Sequence, residues 1–158
     1  MDHAAFRAFY EKTVPKLRAF VIHSCGSVDV ADDILQEAFL RFLQSAPLAR
    51  LDESQMRAYL YRTVESLIVN QWHRRQRDEK IRRDASVVQD KSRPDPIADE
   101  MSQAFASLDP KHRTLLWMAY VEGYDHKEIA AASRVGEKSV RVLLFRARQM
   151  LMKVIKKP

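Results

Sequence analysis

The side chains best suited to a specific chemical task lie near the end of the chain, where Lys138, Arg141, Val142, Phe145 and Arg148 share one face of a helical repeat, with Arg146 beside them. Val140, Leu144, Ala147, Leu151 and either Val154 or Ile155 repeat on the opposite face and belong to a core. Ammonium and guanidinium groups neutralise phosphates, a guanidinium fork matches the edge of guanine, and an apolar side chain can lie on a thymine methyl. Residues 134–158 hold eight Lys/Arg against one acid. A basic helix is often only a solvated face, but an exposed Phe between arginines is odd for that role and useful for touching bases.

Two further groups could bind. Asp32, Asp33, Gln36 and Glu37 form an acidic face, with Arg41 one turn beyond Glu37. Tyr59, Tyr61 and Trp72 are flat side chains on one long segment that also carries Arg62, Arg74, Arg75 and Arg77. Catalysis has no such support. The five His are scattered without metal-ligand spacing, and nothing completes a metal site around Asp32, Asp33 and Glu37. Three Gly leave no room for a phosphate-binding loop, and no nucleophile motif is present. The expectation is a binding protein, not an enzyme, with no cofactor.

The elements that must position these groups are helices. Few Gly and 30% charged residues argue against a sheet protein. Residues 6–24 repeat apolar side chains at helical spacing, with Pro15 expected to bend or divide the segment. Gly26 and Ser27 break it, and Val28–Gln44 is a helix with Ile34, Leu35, Ala38, Phe39 and Phe42 as its buried stripe. A loop over 46–53 leads to a helix over 56–84 that buries Tyr59, Leu60, Thr63, Val64, Leu67 and Gln71 and turns basic in its second half. Residues 85–96 lose periodicity and carry two Pro, as a linker would. Ile97, Met101, Phe105 and Leu108 open a second unit, and Pro110 starts a helix closed by Gly123. Asp125 and Glu128 have capping-box spacing, and 133–136 is a turn of helix-turn-helix length. Two short helices before a longer basic one is how a recognition helix reaches the major groove.

The net charge of +6 favours a polyanionic partner, and its excess sits in two blocks, 72–85 and 108–158. Cys25 has no partner for an internal disulfide, which fits a reducing compartment. The longest apolar run, 115–121, is too short for a bilayer, and Asp2 and His3 stand where a secretory leader would be basic. These features lead us to expect a cytoplasmic protein.

The order of the motifs carries more than any one of them. ADDILQEAFLRF (31–42), MRAYLYRTV…HRRQR (56–77), a Pro-containing linker and LDPKHRTLLWMAYVEGYDHKEIAAASRV…SVRVLLFRARQML (108–151) together resemble the extracytoplasmic-function (ECF) class of bacterial sigma-70-type RNA polymerase factors. The resemblance spans about residues 5–155 and implies an all-α chain of two small helical domains. These are a sigma-2-like bundle over 1–84 and a sigma-4-like helix-turn-helix over 97–158, joined by a flexible linker over 85–96. It implies a bacterial cytoplasmic factor that directs promoter recognition and transcription initiation.

By that resemblance Asp32, Asp33, Gln36 and Glu37 dock on the β′ clamp helices of core polymerase, and the second domain meets the β flap. Tyr59, Tyr61, Arg62, Ser66, Asn70, Trp72, Arg74, Arg75 and Arg77 would engage the −10 region, stacking on flipped bases and holding phosphates. Lys138, Arg141, Val142, Phe145 and Arg146 would read the −35 element. An anti-sigma factor is implied as a further partner. The chain departs from the family at Ser66, Asn70 and His73, where Asn, Asp and Arg are usual, and this implies either altered −10 and melting chemistry or a non-standard −10 sequence. It departs also at Arg134, where the turn usually has Gly, and at Gly136, where a Ser/Thr cap is usual. The alternative reading is a sigma mimic that sequesters an anti-sigma factor, but such a protein has no need of the two basic surfaces.

Overall fold

The structure, a computed structural model, describes residues 3–45, 51–84 and 100–156, and all its regular elements there are helices. These are α1 (His3–Cys25), α2 (Val28–Gln44), α3 (Glu53–Asp84), α4 (Glu100–Ala106), α5 (Pro110–Tyr120), α6 (His126–Ser133) and α7 (Glu137–Lys156). The expected linker over 85–96 lies outside the described residues.

Local chemistry explains the boundaries. Gly26 ends α1 at φ 72°, a left-handed conformation glycine adopts without a Cβ clash, and Ser27 Oγ then accepts from the Val30 amide to cap α2. Asp109 caps α5 by accepting from the Lys111 amide, with Pro110 at the first helical position. The capping box at α6 forms as its spacing predicts: Glu128 N donates to Asp125 at 2.8 Å, and Asp125 N donates to Glu128 at 3.2 Å. Arg134 ends α6 at φ 57°, ψ 38°, so a residue with a Cβ occupies the left-handed turn position. The expected bend or division at Pro15 resolves in favour of one continuous helix, His3–Cys25, with Pro15 inside it.

Helices α1, α2 and α3 pack on one another around Phe9, Leu17, Phe20, Phe42, Leu60 and Val64. Helices α5, α6 and α7 form the helix-turn-helix unit, with α4 against α7. The two units are not separate in space: α3 packs on α5 and α6, α1 packs on α4, and one apolar cluster runs from Phe20 and Tyr61 to Trp117, Ile129 and Val140. Phe20 lies between Tyr61 and Trp117, with ring centroids 5.4 and 5.5 Å away.

The stripe on α3 is rotated from the one its spacing suggests. Met56, Ala58, Leu60, Tyr61, Val64 and Ile68 are buried, while Tyr59, Thr63, Leu67 and Gln71 are only half-buried. The cause is tertiary, since α3 is covered by α1 and α2 on one side and by α5 and α6 on another.

Candidate nucleic-acid and polymerase interfaces

On α2 the stripe of Ile34, Leu35, Ala38, Phe39 and Phe42 is buried, and Asp32, Asp33, Gln36 and Glu37 are exposed on the other side. Two of the acids hold cations: Arg18 Nε lies 3.0 Å from Asp32, and Arg41 Nε lies 3.0 Å from Glu37. Both pairs are largely solvated, so they exchange readily for an intermolecular partner. Asp33 has no such cation among the described residues.

The α3 residues divide into two groups. Trp72 is 54% exposed with its ring edge-on to His73, and Arg74, Arg75 and Arg77 are exposed around it. Tyr59 is half-buried, its ring 6.1 Å from that of Phe42. Tyr61 and Arg62 are placed differently from the expectation of two groups free to meet DNA. Tyr61 is fully buried: its hydroxyl donates to Glu122 Oε1 at 2.7 Å and accepts from Trp117 Nε1 at 3.0 Å. Arg62 donates to the Ala132 carbonyl at 3.0 Å. Ser66 and Asn70 are exposed, but they line a cleft of about 640 Å³ walled on its far side by α5, Ala132, Ser133, Val135 and Leu143.

On α7 the two faces separate as the periodicity requires. Val140, Leu144 and Ala147 are buried, and Lys138, Arg141, Val142, Phe145 and Arg146 are exposed. Phe145 is 56% exposed and therefore does not pack into its own unit. Arg148 is half-buried and donates to the hydroxyl of exposed Tyr120 at 3.0 Å.

Sequence reasoning missed the polar contacts between the units. Arg57 Nε donates to Tyr124 Oη at 2.8 Å, and Thr114 Oγ1 donates to Glu65 Oε2 at 2.7 Å. Arg113, buried in α5, donates to the carbonyls of Ala106 and Leu108 and so fixes the α4–α5 junction. These residues recur at no diagnostic spacing. Only their polarity inside apolar runs hinted at partners.

Burial pushes the Glu65 carboxyl above the ordinary carboxylate range, against the Thr114 hydrogen bond and the charges of Lys111 and Arg113, with Asp109 adding to the rise. A carboxyl raised by folding stabilises the fold fully below its unfolded value, and this contribution is lost as pH rises through the folded value. At neutral pH the ionised form is therefore the costly one. Glu65→Gln keeps an acceptor for Thr114 and should raise the melting temperature at pH 7 by about 2 °C, with the gain vanishing at pH 4. A thermal melt at both pH values checks this; an equal effect at both contradicts it.

Burial likewise raises the Cys25 thiol to about 11, outweighing the nearby Arg113 and Arg75 charges. With so little thiolate, Cys25 should react with a disulfide reagent at pH 8 roughly 100-fold more slowly than a free cysteine. A colorimetric thiol titration before and after denaturation measures the ratio. Among the described residues no three His, Cys, Asp or Glu side chains gather to hold a metal, and no helix is long and apolar enough to cross a membrane.

Two family models match this arrangement: sigma-70 region 2 over residues 9–78 and sigma-70 region 4 over residues 98–151. The ECF RNA polymerase sigma factor EcfG of Rhodopseudomonas palustris is 28% identical over 146 residues, covering 87% of this chain and 78% of that protein. The ECF RNA polymerase sigma factor SigL of Mycobacterium tuberculosis is 24% identical over 156 residues, covering 92% of this chain and 86% of its own. Among solved structures, the sigma factor RpoE from Bartonella quintana, crystallised with the anti-sigma factor NepR, superposes with a TM-score of 0.66. That match has 16% identity, covers 96% of this chain and 97% of the other, and speaks to the fold alone. The chain belongs to the sigma-70 family of RNA polymerase factors, in its ECF group.

Proposed function

We propose that this chain is an alternative sigma factor that binds core RNA polymerase and directs it to a small promoter set. The observation that carries the reading is the coexistence of three surfaces: the acidic face of α2, the basic and aromatic second half of α3, and the basic face of α7 with Val142 and Phe145 exposed. The face of α2 suits the β′ clamp helices. Trp72, Arg74, Arg75 and Arg77 suit the −10 region, with Tyr59 contributing its exposed edge. Ser66 and Asn70 are exposed in the cleft beside them, and Tyr61 and Arg62 would join them only after the helix-turn-helix unit moves away. Lys138, Arg141, Val142, Phe145 and Arg146 suit the −35 element. The chain supplies recognition, and the polymerase supplies the chemistry in the cytoplasm.

A groove of about 610 Å³ between α1, α4, α5 and α7, bordered by exposed Met101, Tyr120 and Met152, offers an apolar seat for a protein partner such as the β flap or an anti-sigma factor. The domain limits we assign are 1–84 and 97–158, with 85–96 as the connection. A sigma mimic would not need the basic faces of α3 and α7, and both are kept.

Run-off transcription with core enzyme on genomic fragments tests the reading. Specific transcripts that depend on the chain support it. Their absence from every fragment, with binding to an anti-sigma protein retained, supports the mimic instead.

A further inference from the structure

A second cavity of about 640 Å³ lies between the end of α1, the middle of α3 and the α4–α5 junction, and its buried wall has no part in the proposed polymerase or promoter contacts. Ser24 and Arg113 belong to that wall, and each is only 7% exposed. Neither Ser24 Oγ nor Arg113 Nε has a hydrogen-bond partner among the described residues. A serine inside a helix ordinarily bonds the carbonyl one turn back, and buried polar atoms are nearly always satisfied. Arg113 is also a buried charge. Its Nη1 donates to the carbonyls of Ala106 and Leu108, but no carboxylate pairs with it among the described residues. Burial pushes its guanidinium below the ordinary arginine value, an effect that Cys25, Asp109 and Glu65 only partly offset. An anion entering the cavity is the partner that the fold itself does not supply.

The rest of the lining says which anion. Arg75 and Lys111 border the same cavity, exposed and without an ion pair among the described residues. The two carboxylates of the lining are already engaged: Glu65 accepts from Thr114, and Asp109 accepts from the Lys111 amide. The last turn of α1 and the first turn of α5 both reach the wall, so their opposite dipole ends offset each other and the side chains decide. Three cations around one space exceed what a single carboxylate needs and suit a phosphate dianion. The space is far larger than a phosphate and falls in the range of small-molecule sites. Val30, Ile68 and Leu108 give it apolar walls, and Trp72, 54% exposed, sets an indole face at its rim. We infer that this cavity binds a nucleoside phosphate, the phosphate on Arg113 and Ser24 with Lys111 and Arg75 around it, and the base against Trp72.

Binding rests on this geometry and not on the sigma-factor reading. Its consequence does rest on that reading: a bound nucleotide covers Trp72 and Arg75, which the proposed function gives to the −10 region, so nucleotide and −10 DNA compete. Ser24 separates a binding role from a structural one. Ser24→Ala removes an unpartnered buried hydroxyl and puts the best helix former in its place, so the chain without nucleotide should melt no lower than its parent. Arg113→Met removes the charge but also the bonds that hold the α4–α5 junction, so it serves as the second variant.

The experiment is isothermal titration calorimetry of the full chain with the four ribonucleoside 5′-monophosphates and diphosphates, the unphosphorylated nucleosides and inorganic phosphate, beside thermal melts of each variant. At least one nucleotide should bind with one-to-one stoichiometry, and its nucleoside and inorganic phosphate should each bind at least about tenfold more weakly. Ser24→Ala should weaken the nucleotide about tenfold with an undiminished melting temperature, and Arg113→Met should weaken it by about 100-fold. No binding of any nucleotide at millimolar concentration overturns the proposal. So does binding that both variants leave unchanged, which would place the nucleotide on the exposed basic surface. Inorganic phosphate binding as tightly as the nucleotides overturns the nucleotide class. A single-stranded oligonucleotide without a terminal phosphate that shows the same Ser24 dependence overturns it too, since the cavity would then be part of the DNA surface. Nucleotide binding as expected while run-off transcription fails would discard the sigma-factor reading and leave the site standing.

Discussion

Asp33→Arg together with Glu37→Arg should reduce binding to core polymerase at least about 100-fold, equivalent to ~2.7 kcal/mol, while leaving the fold intact. The two positions are one turn apart on the exposed side of α2, opposite Phe39, so reversal alters a surface and not the core. Asp33 is unpaired among the described residues, and Glu37 holds only the solvated Arg41. Losing that exposed pair costs about 0–1 kcal/mol of stability, and an arginine at 37 adds a mild repulsion with Arg41. Against a basic partner surface the same reversal replaces attraction by repulsion, where like-charge contacts cost several kcal/mol. A pull-down with β′, paired with circular dichroism, reads both arms. Recovery of β′ at the unmodified yield would mean the acidic face is merely solvated.

The second large effect is expected at the −35 element. Arg141 and Arg146 are five residues apart and so point about 140° apart around α7, too far to serve one line of bases. Arg141 is nearer the helix start, exposed, and flanked by Val142, while Arg148 is tied to Tyr120. We expect Arg141 to reach base edges and Arg146 to meet phosphate. Arg141→Ala should cost about 1–3 kcal/mol on the preferred promoter and flatten the response to base substitutions. A phosphate contact would instead weaken every duplex alike and lower the salt slope by about one. Phe145→Ala should lose affinity mainly on duplexes that keep the contacted thymine, with little further loss where that thymine is replaced. Titrations on base-substituted −35 duplexes at two salt concentrations separate these outcomes.

Wherever local chemistry decides, the helices were legible from residues alone. The stripe of α2, the capping box at Asp125 and Glu128, the Gly26–Ser27 break and the two faces of α7 all follow from periodicity and caps that need no distant partner. The face of α3 was not legible at the same level. It is packed by α1 and α2 on one side and by α5 and α6 on the other, and no single period marks two burying faces. Tyr61 shows the consequence. As a tyrosine beside arginines it reads as a base-stacking platform, yet its hydroxyl is claimed by Glu122 and Trp117, some sixty residues on. Arg57, Glu65, Thr114 and Tyr124 were invisible for the same reason, since each is an ordinary helix residue until its partner arrives. Pro15 carried the opposite lesson. Its fixed ring argues for a break, and the surrounding run of buried side chains, Phe9, Thr13 and Leu17, keeps α1 whole.

In the proposed function one chain brings polymerase to DNA through two separated promoter surfaces. Its most direct test is a footprint of core polymerase, with and without the chain, on a promoter recovered from run-off transcription. Protection at the −35 element and permanganate-reactive, unpaired thymines at the −10 element are expected, both appearing only when the chain is present, with Arg141→Ala weakening the −35 protection. Initiation with neither segment protected by the chain, or with the same pattern from core enzyme alone, would contradict it.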